Sequence, residues 1–337
     1  MTGMQPARID RITKIVSDLD RAEDDYSTAL GCQVVERDTI ERSLASVLGI
    51  PDAMGRRSLL RLGRQRISLL EFTDSAGRPY PCDSTSTDIW FQHVAIVVSD
   101  MTAAYESVMT HPRFRPISRA GPVRLPEESG SVTAFKFRDH DGHPLELIAF
   151  PEARRPAEWR DADLAGPFLG IDHTAIGIHD SSISTKFFGS VFGFSAGMRT
   201  DNHGPEQAQL DDVDDVAVSV TQLGADLPAP RMELLEYHAG TRRPIRRETA
   251  SNDIAATHSV VQVPSLDAVA DALARFGTPL TRNDLMTLHG DIPAALVSGP
   301  DGHRFLVEEQ TRFPVQERSA IAAASRPSSA DTPGRGL

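Results

Sequence analysis

The sequence predicts an α+β protein built from four copies of one βαβββ unit. Short strands with alternating apolar residues occur four times, and a helix with clear start and stop signals follows each of them. The two halves of the chain also repeat each other, since Arg78 and Arg243, like His93 and His258, are 165 residues apart. A constant offset of this kind indicates an internal duplication.

Each unit begins with a strand and a capped helix. Asp or Ser stands at the start of the helical stretches, where its side chain can accept a hydrogen bond from the first turn, and Gly stands at their ends. Asp-Gly pairs at 141–142 and 301–302 mark hairpin turns between later strands. The predicted first strands are residues 9–16, 92–98, 171–178 and 257–263.

Two domains are expected from the length and from two breaks in the pattern. Residues 151–167 are rich in Pro, Arg and Asp without an apolar period, which is typical of a linker. Residues 313–337 are rich in Ser, Ala, Pro and Gly and are predicted to form a flexible tail. The predicted domains are therefore residues 8–150, with modules one and two, and residues 168–312, with modules three and four.

Composition excludes several classes of function. With 35 basic and 47 acidic residues the formal net charge is −12, which disfavours binding to nucleic acid or to an anionic membrane. No apolar run approaches the roughly 20 residues that span a bilayer, and no signal-peptide pattern opens the chain. The two cysteines have no metal-binding spacing. A cytoplasmic protein is expected.

The four units resemble the vicinal oxygen chelate superfamily, which includes glyoxalase I, the fosfomycin and bleomycin resistance proteins and the type I extradiol dioxygenases. The resemblance rests on the alternating first strands, the DLDRA-type helix start and the DGHPLELIAF ending, and it covers nearly all of residues 8–310. It implies that two modules pair into a cup-shaped domain with a divalent metal on its floor.

The resemblance also implies which positions face the cups. Each module offers one position on its first strand and one on its last strand. The first-strand positions are Arg11, His93, His173 and His258. The last-strand positions are Ser68, Glu146, Glu233 and Leu306.

The C-terminal cup is the one expected to bind metal. Modules three and four are predicted to form this cup, so His173, His258 and Glu233 are the expected ligands, and Leu306 leaves the fourth position without one. Two histidines and one carboxylate suit Fe(II), with Mn, Zn or Ni as alternatives. Glu308, two residues beyond Leu306 on the same strand face, is the alternative carboxylate.

The N-terminal cup is expected to be metal-free. It would hold His93 and Glu146 beside Arg11 and Ser68, and a guanidinium is always protonated and cannot bind a cation.

Two further residues are candidates for catalysis. His203 lies in a polar stretch near the expected mouth of the metal cup and could act as an acid or base, or could equally be a solvated turn residue. Tyr237 shares the strand face of Glu233, so it could donate a hydrogen bond to a substrate oxygen or simply line the rim.

The leading functional hypothesis is a metal-dependent oxidoreductase resembling the extradiol ring-cleaving dioxygenases, acting on a small substrate with vicinal oxygens. The first alternative is a glyoxalase-like isomerase, epimerase or lyase. The second is a small-molecule binding or resistance protein without catalysis. A homo-oligomer is left open by the sequence.

Overall fold

The computed structural model describes residues 6–160, 166–245, 249–280, 284–288 and 290–310, and it contains two large mixed sheets of eight and nine strands. The predicted α+β class is confirmed. No helix among the described residues is long and apolar enough to cross a membrane. The predicted tail, residues 313–337, and residues 161–165 of the predicted linker lie outside the described residues.

Module one contains six regular elements. The Asp18 carboxylate accepts a hydrogen bond from the Arg21 amide and so caps its first helix, and Gly31 ends that helix in a left-handed conformation. The elements are β1 (Arg8–Ile15), α1 (Leu19–Leu30), β2 (Gln33–Thr39), α2 (Arg42–Val47), β3 (Gly55–Leu62) and β4 (Gln65–Phe72).

Module two repeats the strand and capped helix. Asp100 caps its helix through the Ala103 amide. The elements are β5 (Gln92–Val98), α3 (Met101–Thr110), β6 (Arg115–Pro116), β7 (Val123–Arg124), β8 (Thr133–Arg138) and β9 (Pro144–Ala149).

Module three has the same plan with a short additional helix. Asp180 caps its first helix, and Gly193 closes it. The elements are β10 (Phe168–Ile178), α4 (Ser181–Phe192), β11 (Ala196–His203), α5 (Pro205–Asp211), β12 (Ala217–Leu223) and β13 (Arg231–Tyr237).

Module four completes the chain. Ser265 caps its helix through the Ala268 amide. The elements are β14 (His258–Val263), α6 (Leu266–Arg275), β15 (Met286–Leu288), β16 (Ile292–Ser298) and β17 (Arg304–Glu309).

The modules pair differently from the sequence-based prediction. One sheet has the strand order β15-β16-β17-β14-β1-β4-β3-β2 and therefore joins module four to module one. The other has the order β11-β12-β13-β10-β5-β9-β8-β6 and joins module three to module two. The antiparallel pairs of first strands, β1 with β14 and β5 with β10, make these joins. The predicted division at residues 151–167 must be corrected, because each sheet contains strands from both halves of the chain.

Two duplicated loops interlock the sheets by reciprocal contacts. Arg78 binds Asp253, and its repeat Arg243 binds Asp88, the repeat of Asp253. The backbone follows the same exchange, since the amide that follows Asp253 donates to the Arg78 carbonyl and the amide that follows Asp88 donates to the Arg243 carbonyl, both at 2.9 Å. The residues that reveal the duplication in the sequence are thus the ones that tie its two halves together.

Replacing Asp88 or Asp253, the two carboxylates of these reciprocal contacts, is expected to destabilise the fold. Asp88 is fully buried and accepts hydrogen bonds from Arg243 and from the Thr241 hydroxyl. Asp88→Ala should lower the free energy of unfolding by about 1 to 3 kcal/mol, because it leaves those donors without their acceptor. Urea unfolding measures the loss. As a control, Asp214→Ala, which removes an exposed partner of Arg119, should cause no measurable change; equal effects of the two substitutions would contradict the interlock.

Candidate metal centre

Four ligand-capable side chains face the cup formed by modules two and three. One row of paired residues crosses three adjacent strands and consists of Glu233 on β13, Ala175 on β10 and His93 on β5. The neighbouring row consists of His173 on β10, Ala95 on β5 and Glu146 on β9. Residues paired across strands share a face, as do residues two apart on one strand.

The two alanines explain why the four side chains can converge. Ala95 and Ala175 are buried and lie between the ligand-bearing positions in each row. A methyl group leaves open space above the sheet, and longer side chains on both sides can lean into it. The sequence thus places two imidazoles and two carboxylates around one small space.

The distances within this cluster are short. The Nε2 atom of His93 lies 2.8 Å from Glu146 Oε2, and the Nε2 atom of His173 lies 3.3 Å from Glu233 Oε2. His93, Glu146 and His173 each offer a ligand atom within 4.8 Å of the others'. We call the four cup-facing positions of these side chains the corners of the cup. Glu233 is at the fourth corner, where it contacts His173 and accepts a 3.4 Å hydrogen bond from Gln222.

Three buried ring nitrogens lack a well-oriented hydrogen bond within the described ranges, as expected for metal ligands. Both ring nitrogens of His93 and the Nε2 atom of His173 are buried, and none has hydrogen-bond geometry with a partner among the described residues. The Nδ1–H of His173 donates to Asp172 at 3.0 Å, which orients the ring and leaves its Nε2 facing the cup. A carboxylate behind a ligating histidine is a common supporting contact in metal sites.

Burial and neighbouring charges set the pKa values of these four side chains. Burial, helped by the Lys136 ammonium, lowers the pKa of His93 to about 4, so this ring is neutral near pH 7. Burial would raise the pKa of Glu146, but His93 and Lys136 hold it at about 2. Burial would lower the pKa of His173, yet Glu233 and Asp172 raise it to about 9. Burial raises the pKa of Glu233.

A cavity of about 400 Å³ opens above the cluster. Three of its wall residues, Lys136, Gln207 and Tyr237, are held from behind by Asp211, the last residue of α5. Asp211 accepts hydrogen bonds from Lys136 at 2.6 Å, from Tyr237 at 3.0 Å and from Gln207 at 2.7 Å. Apolar wall residues include Leu125, Ile148, Phe150, Val218 and Leu235. The cavity therefore combines apolar walls with one anchored ammonium.

Solved structures resemble the whole chain in fold. Glyoxalase I from Zea mays superposes with a TM-score of 0.61 at 16% identity, covering 90% of this chain and 92% of that one. A Bacillus subtilis protein described as a "putative dioxygenase" superposes with a TM-score of 0.52 at 13% identity, covering 95% of this chain and 96% of that one. The chain has the vicinal oxygen chelate fold. No family model and no curated protein sequence matches it.

In this vicinal oxygen chelate fold the second cup, formed by modules one and four, is filled. Its four corner positions are Arg11, Ser68, His258 and Leu306, and the space between them is only about 10 Å³, roughly enough for one water. Leu44 of α2 packs against a core that contains Leu306.

The ligand set predicted from sequence is corrected by this pairing. His173 and Glu233 lie together, but His258 is in the other cup, where its Nε2–H donates to the Ser251 carbonyl at 3.1 Å. Glu308, the alternative carboxylate, binds the Arg11 guanidinium at 2.6 Å. Both residues lie apart from His173 because β14 and β17 belong to the sheet of module one.

The two predicted catalytic residues have different positions. Tyr237 is buried in the wall of the metal cup, and its hydroxyl is held by Asp211. His203 ends β11 with an exposed side chain and is not part of the cavity wall.

Sequence reasoning assigned His93 and Glu146 to a metal-free cup and missed Lys136 and Asp211. One signal for Lys136 is its position between two phenylalanines, Phe135 and Phe137, on a strand that pairs it with Glu146.

The filled cup is expected to depend on the Arg11–Glu308 pair. The Glu308 side chain is 7% exposed, so Arg11→Met leaves a buried carboxylate without its cation, at a cost of about 3 kcal/mol or more. Removing both charges in Arg11→Met/Glu308→Met should recover much of this loss, because Asp10, the other carboxylate bound by Arg11, keeps its pair with Arg66. Urea unfolding of the two variants tests the pair, and an equally unstable double variant would contradict it.

Proposed function

We propose that this protein is a metal-dependent enzyme of the glyoxalase-like kind, which moves a proton within a small substrate that carries vicinal oxygens. The observation that supports it best is the set of four ligand-capable corners in the cup of modules two and three. Isomerisation, epimerisation and lyase reactions all use this chemistry, because each begins with removal of a proton from carbon next to a carbonyl.

His93, Glu146, His173 and Glu233 would hold the metal, through imidazole nitrogens and carboxylate oxygens. A bound divalent ion supplies Lewis-acid stabilisation of negative charge on the substrate oxygens. Two imidazoles and two carboxylates suit zinc, nickel or manganese as well as iron. Asp172 keeps the His173 ring oriented through its Nδ1–H.

The presence of four possible metal ligands favours proton transfer over oxygenation. If all four side chains held the metal, a six-coordinate ion would have room for the two oxygens of a substrate and for no further ligand. Ring cleavage needs a further position for dioxygen. The sequence-based preference for a dioxygenase rested on Leu306 at the fourth corner, and Leu306 belongs to the other cup.

Glu233 is the residue best placed to move the proton. Its carboxylate lies at the edge of the cluster, outside the group of mutually close atoms formed by His93, Glu146 and His173. It is therefore the ligand that the other three side chains could best replace, and a carboxylate released from the metal can accept a proton. One Oε atom of Glu233 would take the proton from one substrate carbon and return it to the same or the adjacent carbon.

The cavity walls would orient the substrate. Asp211 holds the Lys136 ammonium, and the field of that cation favours negative charge beside the metal position. Apolar walls exclude water from the reacting carbon. Tyr237 already donates its hydroxyl hydrogen to Asp211, so it acts on the position of this network rather than on the substrate.

Ring-cleaving dioxygenation by Fe(II) is the second candidate, and one observation favours it. His93, Glu146 and His173 alone form a two-histidine, one-carboxylate group of mutually close atoms, which is the ligand set of many Fe(II) oxygenases. If Glu233 is not a ligand, a position for dioxygen stays open.

Isotope exchange separates the two reactions. We expect the metal-loaded protein to transfer deuterium from heavy water to the carbon of α-hydroxy ketones and of hemithioacetals of α-keto aldehydes, without consuming dioxygen. Glu233→Gln should lower the exchange rate by roughly a hundredfold or more while metal stays bound, because it removes the proton acceptor. Nuclear magnetic resonance measures the exchange, and metal analysis measures occupancy.

His258→Gln in the filled cup is the matched control and should leave exchange unchanged. Dioxygen consumption with catechols that persists in Glu233→Gln would favour the second candidate. Ligand binding without exchange or dioxygen consumption would instead leave the non-catalytic binding protein as the function.

A further inference from the structure

A second cavity, of about 550 Å³, lies at the junction of the two sheets and uses none of the four corners of the metal cup. Its volume falls in the range of roughly 300–1,000 Å³ that is usual for small-molecule sites. The duplicated loops that interlock the sheets form its sides, through Arg78 to Asp83 on one side and Arg243 to Ile245 on the other. Gln92 also lines it and donates hydrogen bonds to Thr174 and Ser259, one in each sheet.

Two of the three arginines in this cavity are neutralised by the protein itself. Arg78 binds Asp253 at 2.6 Å. Arg243 binds the buried carboxylate of Asp88 at 2.7 Å and also contacts Asp83. These cations are therefore committed to the interlock between the loops.

Arg304 differs from the other two. This half-buried guanidinium donates to the Ser251 hydroxyl at 2.8 Å and to the Thr249 carbonyl. Within the described parts of the chain it forms no ion pair with a carboxylate. Burial lowers its pKa, and the charge of Asp253, which is already paired with Arg78, offsets this only in part. The two neutral acceptors fix the orientation of the guanidinium and leave N–H donors available to a ligand.

The rest of the wall is apolar and aromatic. The Trp90 ring is held by the Arg243 guanidinium, which stacks 4.8 Å from the ring centre, and by a hydrogen bond from its indole nitrogen to Ser84. Tyr80, Ile245, Ala255 and Ala256 complete this surface. A rigid indole beside short apolar side chains suits a flat apolar body.

We propose that this cavity is a second ligand site, which binds a small organic anion whose carboxylate pairs with Arg304 and whose planar apolar body packs against Trp90 and Ala255. The anion would give Arg304 the carboxylate partner that no described residue provides. An Arg–carboxylate pair forms short charge-assisted hydrogen bonds, so the charge of the ligand should dominate its affinity.

Calorimetric titration of the full chain with naphthoate and with its neutral analogue naphthalenemethanol tests the site. We expect naphthoate to bind once per chain, and roughly tenfold or more tighter than the alcohol, because hydrogen bonds to a charged group are worth that much. Arg304→Met should remove this difference, and Arg304→Lys should retain part of it. Ala255→Phe should abolish the binding of both compounds by filling the cavity without touching Arg304.

Two control variants test whether naphthoate binds in this cavity rather than in the metal cup. Arg154→Met, at the wall of the metal cavity, and Glu146→Gln, in the metal cluster, should both leave naphthoate affinity unchanged. The proposal is overturned if naphthoate fails to bind, binds no tighter than the alcohol, or loses its affinity in Glu146→Gln. If Arg304→Met does not fold, the Ala255→Phe variant decides, since naphthoate binding that survives the filled cavity also overturns the proposal.

Discussion

The antiparallel pairing of β5 with β10 is the constraint on which the candidate site depends. Its register sets His93 opposite Ala175 and His173 opposite Ala95, so each imidazole projects beside an alanine of the neighbouring strand. The outer parallel strands then add Glu146 and Glu233 at the remaining corners. A shift of the register by one residue would turn one strand's histidine to the opposite face of the sheet, and the metal position would be lost.

Local patterns in the sequence were sufficient to predict the elements and the corner positions. Strand alternation, the caps at Asp18 and Asp180 and the duplicated Asp-Gly turns are short-range features, and short-range physics determines them. The eight positions named from the sequence each line one of the two cups, four in each. The pairing of the modules could not be predicted in this way, because four equivalent first strands can pair in more than one way and long-range contacts decide between the possibilities. A signal was nevertheless present, since modules two and three carry all of the ligand-capable pairs.

The duplication has produced two cups, of which one is open and the other is filled by side chains. In one, small residues separate the four ligand-capable side chains and α5 contributes Gln207 and Leu210 to the wall, and about 400 Å³ stays open. In the other, α2 fills the space, and Arg11 neutralises Glu308. The second cup therefore contributes packing and an internal ion pair. The reciprocal contacts of Arg78 with Asp253 and of Arg243 with Asp88 hold the sheets together, and between the same loops they frame the cavity that contains Arg304.

Anomalous diffraction from crystals of the zinc- or manganese-loaded protein tests the central claim most directly, because it locates the metal without reference to activity. We expect one anomalous peak per chain, within bonding distance of His93, Glu146 and His173, with Glu233 at the fourth corner. A peak beside His258 in the cup of modules one and four, or equal peaks in both cups, would contradict the division of the chain into one metal cup and one filled cup.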